Sequence, residues 1–147
     1  MPQGQPDITG VLDFDTTNLQ ILGAGPQLTP VNIVSTTENF NVAASFQGAG
    51  FVWNWLKANP PTKPIGEPYE IRYFAESIGT GSNNVLLGIR TGNLTTANTY
   101  GPPATQLTVA AGTLLQGVYE IACLIKFPNN PGLTGYFKMA DVLEVYS

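Results

Sequence analysis

The stretch Glu38-Asn39-Phe40-Asn41-Val42-Ala43-Ala44-Ser45-Phe46-Gln47 decides the fold class. Successive side chains of an extended strand point to opposite faces. Phe40, Val42, Ala44 and Phe46 therefore fall on one side, with Asn39, Asn41, Ala43, Ser45 and Gln47 on the other. One face is apolar and the other polar or small, the pattern of a half-buried strand in an antiparallel sheet.

Working outward, the same period recurs. Upstream, Ile8 to Phe14 opens with a strand, and Asn18 to Leu22 fits a short strand or a single helical turn. Downstream, Gly48 to Gly50 turns the chain into Phe51-Val52-Trp53-Asn54-Trp55-Leu56. This segment reads as a strand whose three aromatics share a face. Asn59 to Pro64 holds three prolines and must be a loop, since proline cannot donate to a ladder. Tyr69 to Glu76 is a strand, Gly79 to Asn83 a turn, and Val85 to Thr91 the hairpin partner. Polar Asn93 to Thr105 reads as a long surface connection, and Gln106 to Ala111 as a short strand. Val118 to Phe127 and Gly135 to Tyr146 close the chain. Twelve prolines and sixteen glycines in 147 residues leave no room for a long helix. Seven to nine strands at this spacing predict an all-β, two-sheet antiparallel Greek-key sandwich, with a jelly roll as the alternative. One domain is expected over residues 1–147, preceded by a short N-terminal arm at 1–7.

Leu115-Gln116-Gly117-Val118-Tyr119-Glu120-Ile121 resembles the approach to the penultimate strand of immunoglobulin-like sandwiches. The resemblance implies a tyrosine corner, in which the Tyr119 hydroxyl bonds back to upstream backbone. It also implies that Trp53 and Trp55 lie where that fold carries its core Trp, in the third long strand. Ile121 stands where antibody-type domains have a Cys, so their inter-sheet disulfide is absent. The resemblance concerns architecture and implies no activity, because sandwiches host many unrelated functions.

Several chemistries are disfavoured by composition. The chain lacks histidine, the commonest general base and metal ligand near neutral pH. Its six basic residues are scattered and its net charge is −4, a poor match for nucleic acid. Cys123, the only cysteine, sits in the apolar run Ile121-Ala122-Cys123-Leu124-Ile125 and reads as a buried thiol. Glu70, Glu76 and Glu120 are the carboxylates a glycosidase would need, yet Glu70, Arg72 and Glu76 read more simply as a solvated outer strand face. Asp13, Asp15 and Asp141 are too few for calcium, which takes six or more oxygens. No metal and no cofactor is expected. Neither a signal peptide nor a membrane span is expected in this chain, which leaves the compartment open and cytoplasmic by default.

What remains is a surface. Only 11% of residues are charged, against about 25% in average domains, so the exterior is made of neutral polar groups. Two runs are apolar on both faces: Phe51 to Leu56, and Ile121 to Ile125, where Ala122 and Leu124 oppose Ile121, Cys123 and Ile125. Such strands imply that one face meets something beyond its own sandwich. The expectation is a non-catalytic interaction or structural module, self-associating or part of an assembly, with the arm at 2–6 reaching a neighbour. The alternative is a carbohydrate-binding, lectin-like sandwich that stacks sugars on Trp53, Trp55 or Tyr100.

Overall fold

The computed structural model of the protein describes residues 13–23, 30–78 and 84–147. Its elements run β1 (Asp13–Leu22), β2 (Pro30–Val31), β3 (Ile33–Ser35), β4 (Phe40–Ala49), α1 (Phe51–Leu56), β5 (Pro68–Ser77) and β6 (Asn84–Asn93). Then follow β7 (Thr99–Tyr100), β8 (Leu107–Val109), β9 (Gly117–Lys126) and β10 (Thr134–Tyr146). Sheet 1 has the order β2-β1-β4-β7, with β8 also on β4, and sheet 2 has the order β3-β10-β9-β5-β6. The chain passes repeatedly from one sheet to the other, and the result is an all-β, immunoglobulin-like sandwich. Among the described residues ten strands are present, eight of them longer than the two-residue β2 and β7. Among the described strands one pairing is parallel, β3 with β10.

The alternation in β4 holds: Phe40, Val42, Ala44 and Phe46 are all buried. They face Tyr69, Ile71, Tyr73 and Ala75 of β5, which are buried in turn and join the same core. The tyrosine corner is formed, with the Tyr119 hydroxyl donating to the Leu115 carbonyl at 2.8 Å.

The free edge of β4 carries a second device. β8 pairs with Phe40 to Val42, and β7 pairs with Phe46 and Gln47. Between them Ala44 has no strand beside it, yet a buried N–H and C=O must find partners. The Tyr73 hydroxyl, reaching across from sheet 2, accepts from the Ala44 N–H at 2.9 Å and donates to the Thr105 carbonyl at 2.6 Å. The Thr105 hydroxyl then donates to the Ala44 carbonyl at 2.5 Å. Two hydroxyls thus stand in for the missing rung.

The segment Phe51–Leu56 is a helix, not the expected strand. Gly48 lies flat against the Trp53 ring, where a Cβ would overlap it, and Gly50 adopts φ 98°, a value that favours glycine. The chain therefore leaves β4 and coils. Helical geometry puts residues i and i+4 on one face and i+2 opposite. Trp53 turns inward while Phe51 and Trp55 turn outward together.

One further expectation is corrected. Residues 93–105 are not only surface, because Leu94, Tyr100 and Thr105 are buried. Of the two alternatives for Asn18 to Leu22 the strand holds, as the end of the ten-residue β1, with a bulge between Thr16 and Asn18. The arm at 1–7, the start of the Ile8 to Phe14 strand and the turn at 79–83 lie outside the described residues.

Cys123 is fully buried at the centre of β9, and burial pushes its thiol from the ordinary 9.0 up to about 12. The native state then keeps a proton that the unfolded chain releases, so stability falls as pH rises from about 9 toward 12. Tyr69 and Tyr73, also raised by burial from 10.0, contribute mainly above pH 10. Between pH 9 and 10 the Cys123 contribution to the slope of the unfolding free energy should approach about 1.4 kcal/mol per pH unit. Urea titrations across that interval should show Cys123→Ala removing most of the slope, and an equal slope in both proteins would contradict the assignment.

Candidate interaction face

The outer face of sheet 2 follows from strand parity and register. On β5 the residues alternating with the core are Glu70, Arg72, Phe74 and Glu76. Their partners on β9 are Lys126, Leu124, Ala122 and Glu120 in that order. Beyond β9, Leu124 and Ala122 stand opposite Tyr136 and Lys138 of β10. Beyond β5, Arg72 and Phe74 stand opposite Ile89 and Leu86 of β6. The centre of the face is therefore apolar: Leu86, Ile89, Phe74, Leu124, Ala122 and Tyr136. Leu86, Ile89 and Tyr136 are 49%, 42% and 37% exposed, Phe74 and Leu124 are half-buried, and Ala122 is buried. A shallow groove of about 240 Å3 runs over Phe74, Ala122, Leu124 and Tyr136.

Charge sits at the two ends. Toward one end Arg72 bonds Glu70 at 2.8 Å, and Lys126 is the cross-strand neighbour of the same Glu70. Two cations stand beside one carboxylate, and only Arg72 is bonded to it. Toward the other end Glu76 and Glu120 are cross-strand neighbours, and Lys138 bonds Glu120 at 3.2 Å. Two carboxylates share one cation, and like charges directly opposite each other in a sheet repel. Glu144, further along β10 on the same face, adds to the acidic end. The glycosidase reading of Glu70, Glu76 and Glu120 gains a cross-strand pair at Glu76 and Glu120, but that pair lies on an open sheet face beside a lysine.

The outside of sheet 1 is different. Asp13, Asp15, Asn18, Gln20, Ser45 and Gln47 present polar or charged groups there, Ala43 is buried, and Asn41 is tied to Gly23 and Thr108 by its side chain. A cleft of about 710 Å3 opens between β1, β2 and the bulged part of β10, lined by Leu19, Ile21, Val31, Phe137 and Met139 as well as by Thr16, Asn18, Gln20, Lys138 and Asp141. Among the described residues, no three His, Cys, Asp or Glu side chains are grouped to hold a metal ion, so Asp13, Asp15 and Asp141 do not converge.

The three aromatic candidates separate. Trp53 is completely buried against Phe14 and Phe127, and its indole N–H donates to Asn98 at 3.2 Å. It is core and presents no surface to a ligand. Tyr100 is also core: its ring stacks on Phe46 at 5.0 Å, and its hydroxyl is taken up by Thr95 and Ala97. Trp55 alone is exposed, at 64%, with Phe51 beside it at 4.6 Å between ring centroids. The sheet-2 face was only partly visible beforehand, through Ala122 and Leu124. Leu86, Ile89 and Tyr136 join it only once register is known.

No family model matches the chain, and no curated protein matches it. Among solved structures, the chain is similar to the CARDB domain of the PF1109 protein from Pyrococcus furiosus, solved in complex with di-metal ions. The TM-score is 0.50 at 11% identity, covering 99% of this chain and 97% of that one. That domain has an immunoglobulin-like fold, and at this identity the likeness concerns the fold alone. A β-glucosidase from Listeria innocua aligns at TM-score 0.49 and 8% identity, and 17% of that enzyme is covered.

The contrast between the tryptophans is testable. Trp53→Ala should cost about 3–5 kcal/mol, as removal of a fully buried large aromatic does. Trp55→Ala should change stability by no more than about 0.5 kcal/mol. Chemical denaturation of both variants checks this, and a large loss at Trp55 would mean that α1 is misplaced.

Proposed function

We propose that the protein is a non-catalytic interaction module that joins an assembly through the outer face of sheet 2. One observation carries the reading: six apolar side chains form the centre of that face and are flanked by ion pairs, while polar and acidic side chains occupy the outside of sheet 1. Contiguous exposed apolar surface of this kind, rimmed by polar groups, is how protein interaction sites differ from ordinary surface. The sparse charge elsewhere fits a role in packing against other neutral surfaces.

Carbohydrate binding is the second reading, favoured by the exposed Phe51–Trp55 pair at one end of the sandwich. Exposed aromatic faces stack on sugar rings, and Trp55 is the residue that would do so.

Light scattering on the full chain at tens of micromolar separates the two. The interaction reading expects species larger than one chain, reduced to one chain by Leu124→Glu with the β-type circular dichroism retained, and unchanged by Trp55→Ala. A monomer that captures an oligosaccharide, and loses that capture on Trp55→Ala, would overturn it.

A further inference from the structure

The geometry points to a second copy of the same chain as the occupant of this face, docked about a two-fold axis that runs across the strands. The inference rests on the interaction reading above and adds the partner and its orientation. A two-fold interface uses one patch on both subunits, so the patch must complement itself. This one does.

An axis crossing the strands through the apolar centre exchanges the two ends of the face. The basic end, with Arg72, Lys126 and Glu70, comes over the partner's acidic end, with Glu76, Glu120, Glu144 and Lys138. The net charges are +1 and −2. On β9, Lys126 lies over the partner's Glu120 and offsets the Glu76–Glu120 repulsion in each copy, while on β5 Glu70 lies over the partner's Glu76 with Arg72 beside it. Between the charged ends, the Leu86–Ile89 side meets itself, and Leu124 lies over Ala122, a large side chain over a small one.

Size agrees. The four long strands, about 4.8 Å apart and rising about 3.3 Å per residue, present roughly 20 by 33 Å, or roughly 650 Å2 before side-chain relief. A standard stable interface takes about 800 Å2 from each partner. Packed sheets are commonly offset by about 30°, which leaves the end-to-end charge match intact.

Charge reversal on the full chain tests the orientation. Lys126 and the partner's Glu120 meet across the axis, so Lys126→Glu sets two carboxylates face to face and Glu120→Lys sets two ammonium groups face to face. Each single variant should dimerise at least about tenfold more weakly than the parent, because like charges then meet at both junctions. The two variants mixed together should pair with each other. The double variant, with the ends exchanged, should recover homodimers. Native mass spectrometry, with one variant isotopically labelled, reads all four cases, and circular dichroism verifies folding. Folded single variants that dimerise as well as the parent, or mixing without recovery, would overturn the two-fold arrangement. If Leu124→Glu still dissociates the parent, the interaction reading survives that failure. A parent that is monomeric throughout would sink both.

Discussion

A single phenolic hydroxyl, that of Tyr73, ties the two sheets together where the edge of β4 lies open between β8 and β7. β4 is the central strand of that sheet, and its free edge is covered by two short strands that leave Ala44 between them. An unpaired buried amide or carbonyl costs about 1–3 kcal/mol, more than the net gain of a typical hydrogen bond. Tyr73 removes that cost from the opposite sheet, and the Thr105 hydroxyl completes the repair. The connection between β7 and β8 is thereby held against the sandwich. Both hydroxyls are fully committed, and burial raises the Tyr73 pKa, so the contact keeps its proton under ordinary conditions.

This arrangement bears on where the apolar surplus goes. The space between the sheets is filled by Phe14, Phe46, Trp53, Tyr73 and their neighbours, and α1 plugs one end with Trp53. Strands that are apolar on both faces must then present one face to solvent. β9 does so, and its neighbours β5, β6 and β10 extend the exposed surface because their register places apolar residues beside Ala122 and Leu124. The seven charges on this face are a large share of the chain's sixteen, and they are grouped at its two ends around the apolar centre.

Much of the fold was legible in the sequence. Period-two alternation identified β4, β5, β9 and β10, and Gly117-Val118-Tyr119 identified the corner. The helix was not, because aromatics at 51, 53 and 55 satisfy a strand on one face and also satisfy a helix that buries only the middle one. Deciding between them needed Gly48 and Gly50, whose close approach and positive φ are tertiary facts. The burial of Tyr100 is hidden for a related reason: a polar, Pro-containing segment reads as exposed until the Tyr100 ring meets Phe46, which is 54 positions earlier in the chain. Of the candidate site, Ala122 and Leu124 were recognisable as surplus apolar groups. The rest of the face is a product of strand register, which separates its members widely in sequence and which no local pattern encodes.

Native-state hydrogen exchange at the Ala44 amide tests the Tyr73 contact most directly. Its proton is bonded to a side chain of the other sheet rather than to a strand. If that contact holds the sandwich closed, the Ala44 amide exchanges only through global unfolding, with the same free energy as the ladder amide of Val42. Exchange at the rate of exposed loop amides, while Val42 stays protected, would show that the edge opens on its own and contradict the account.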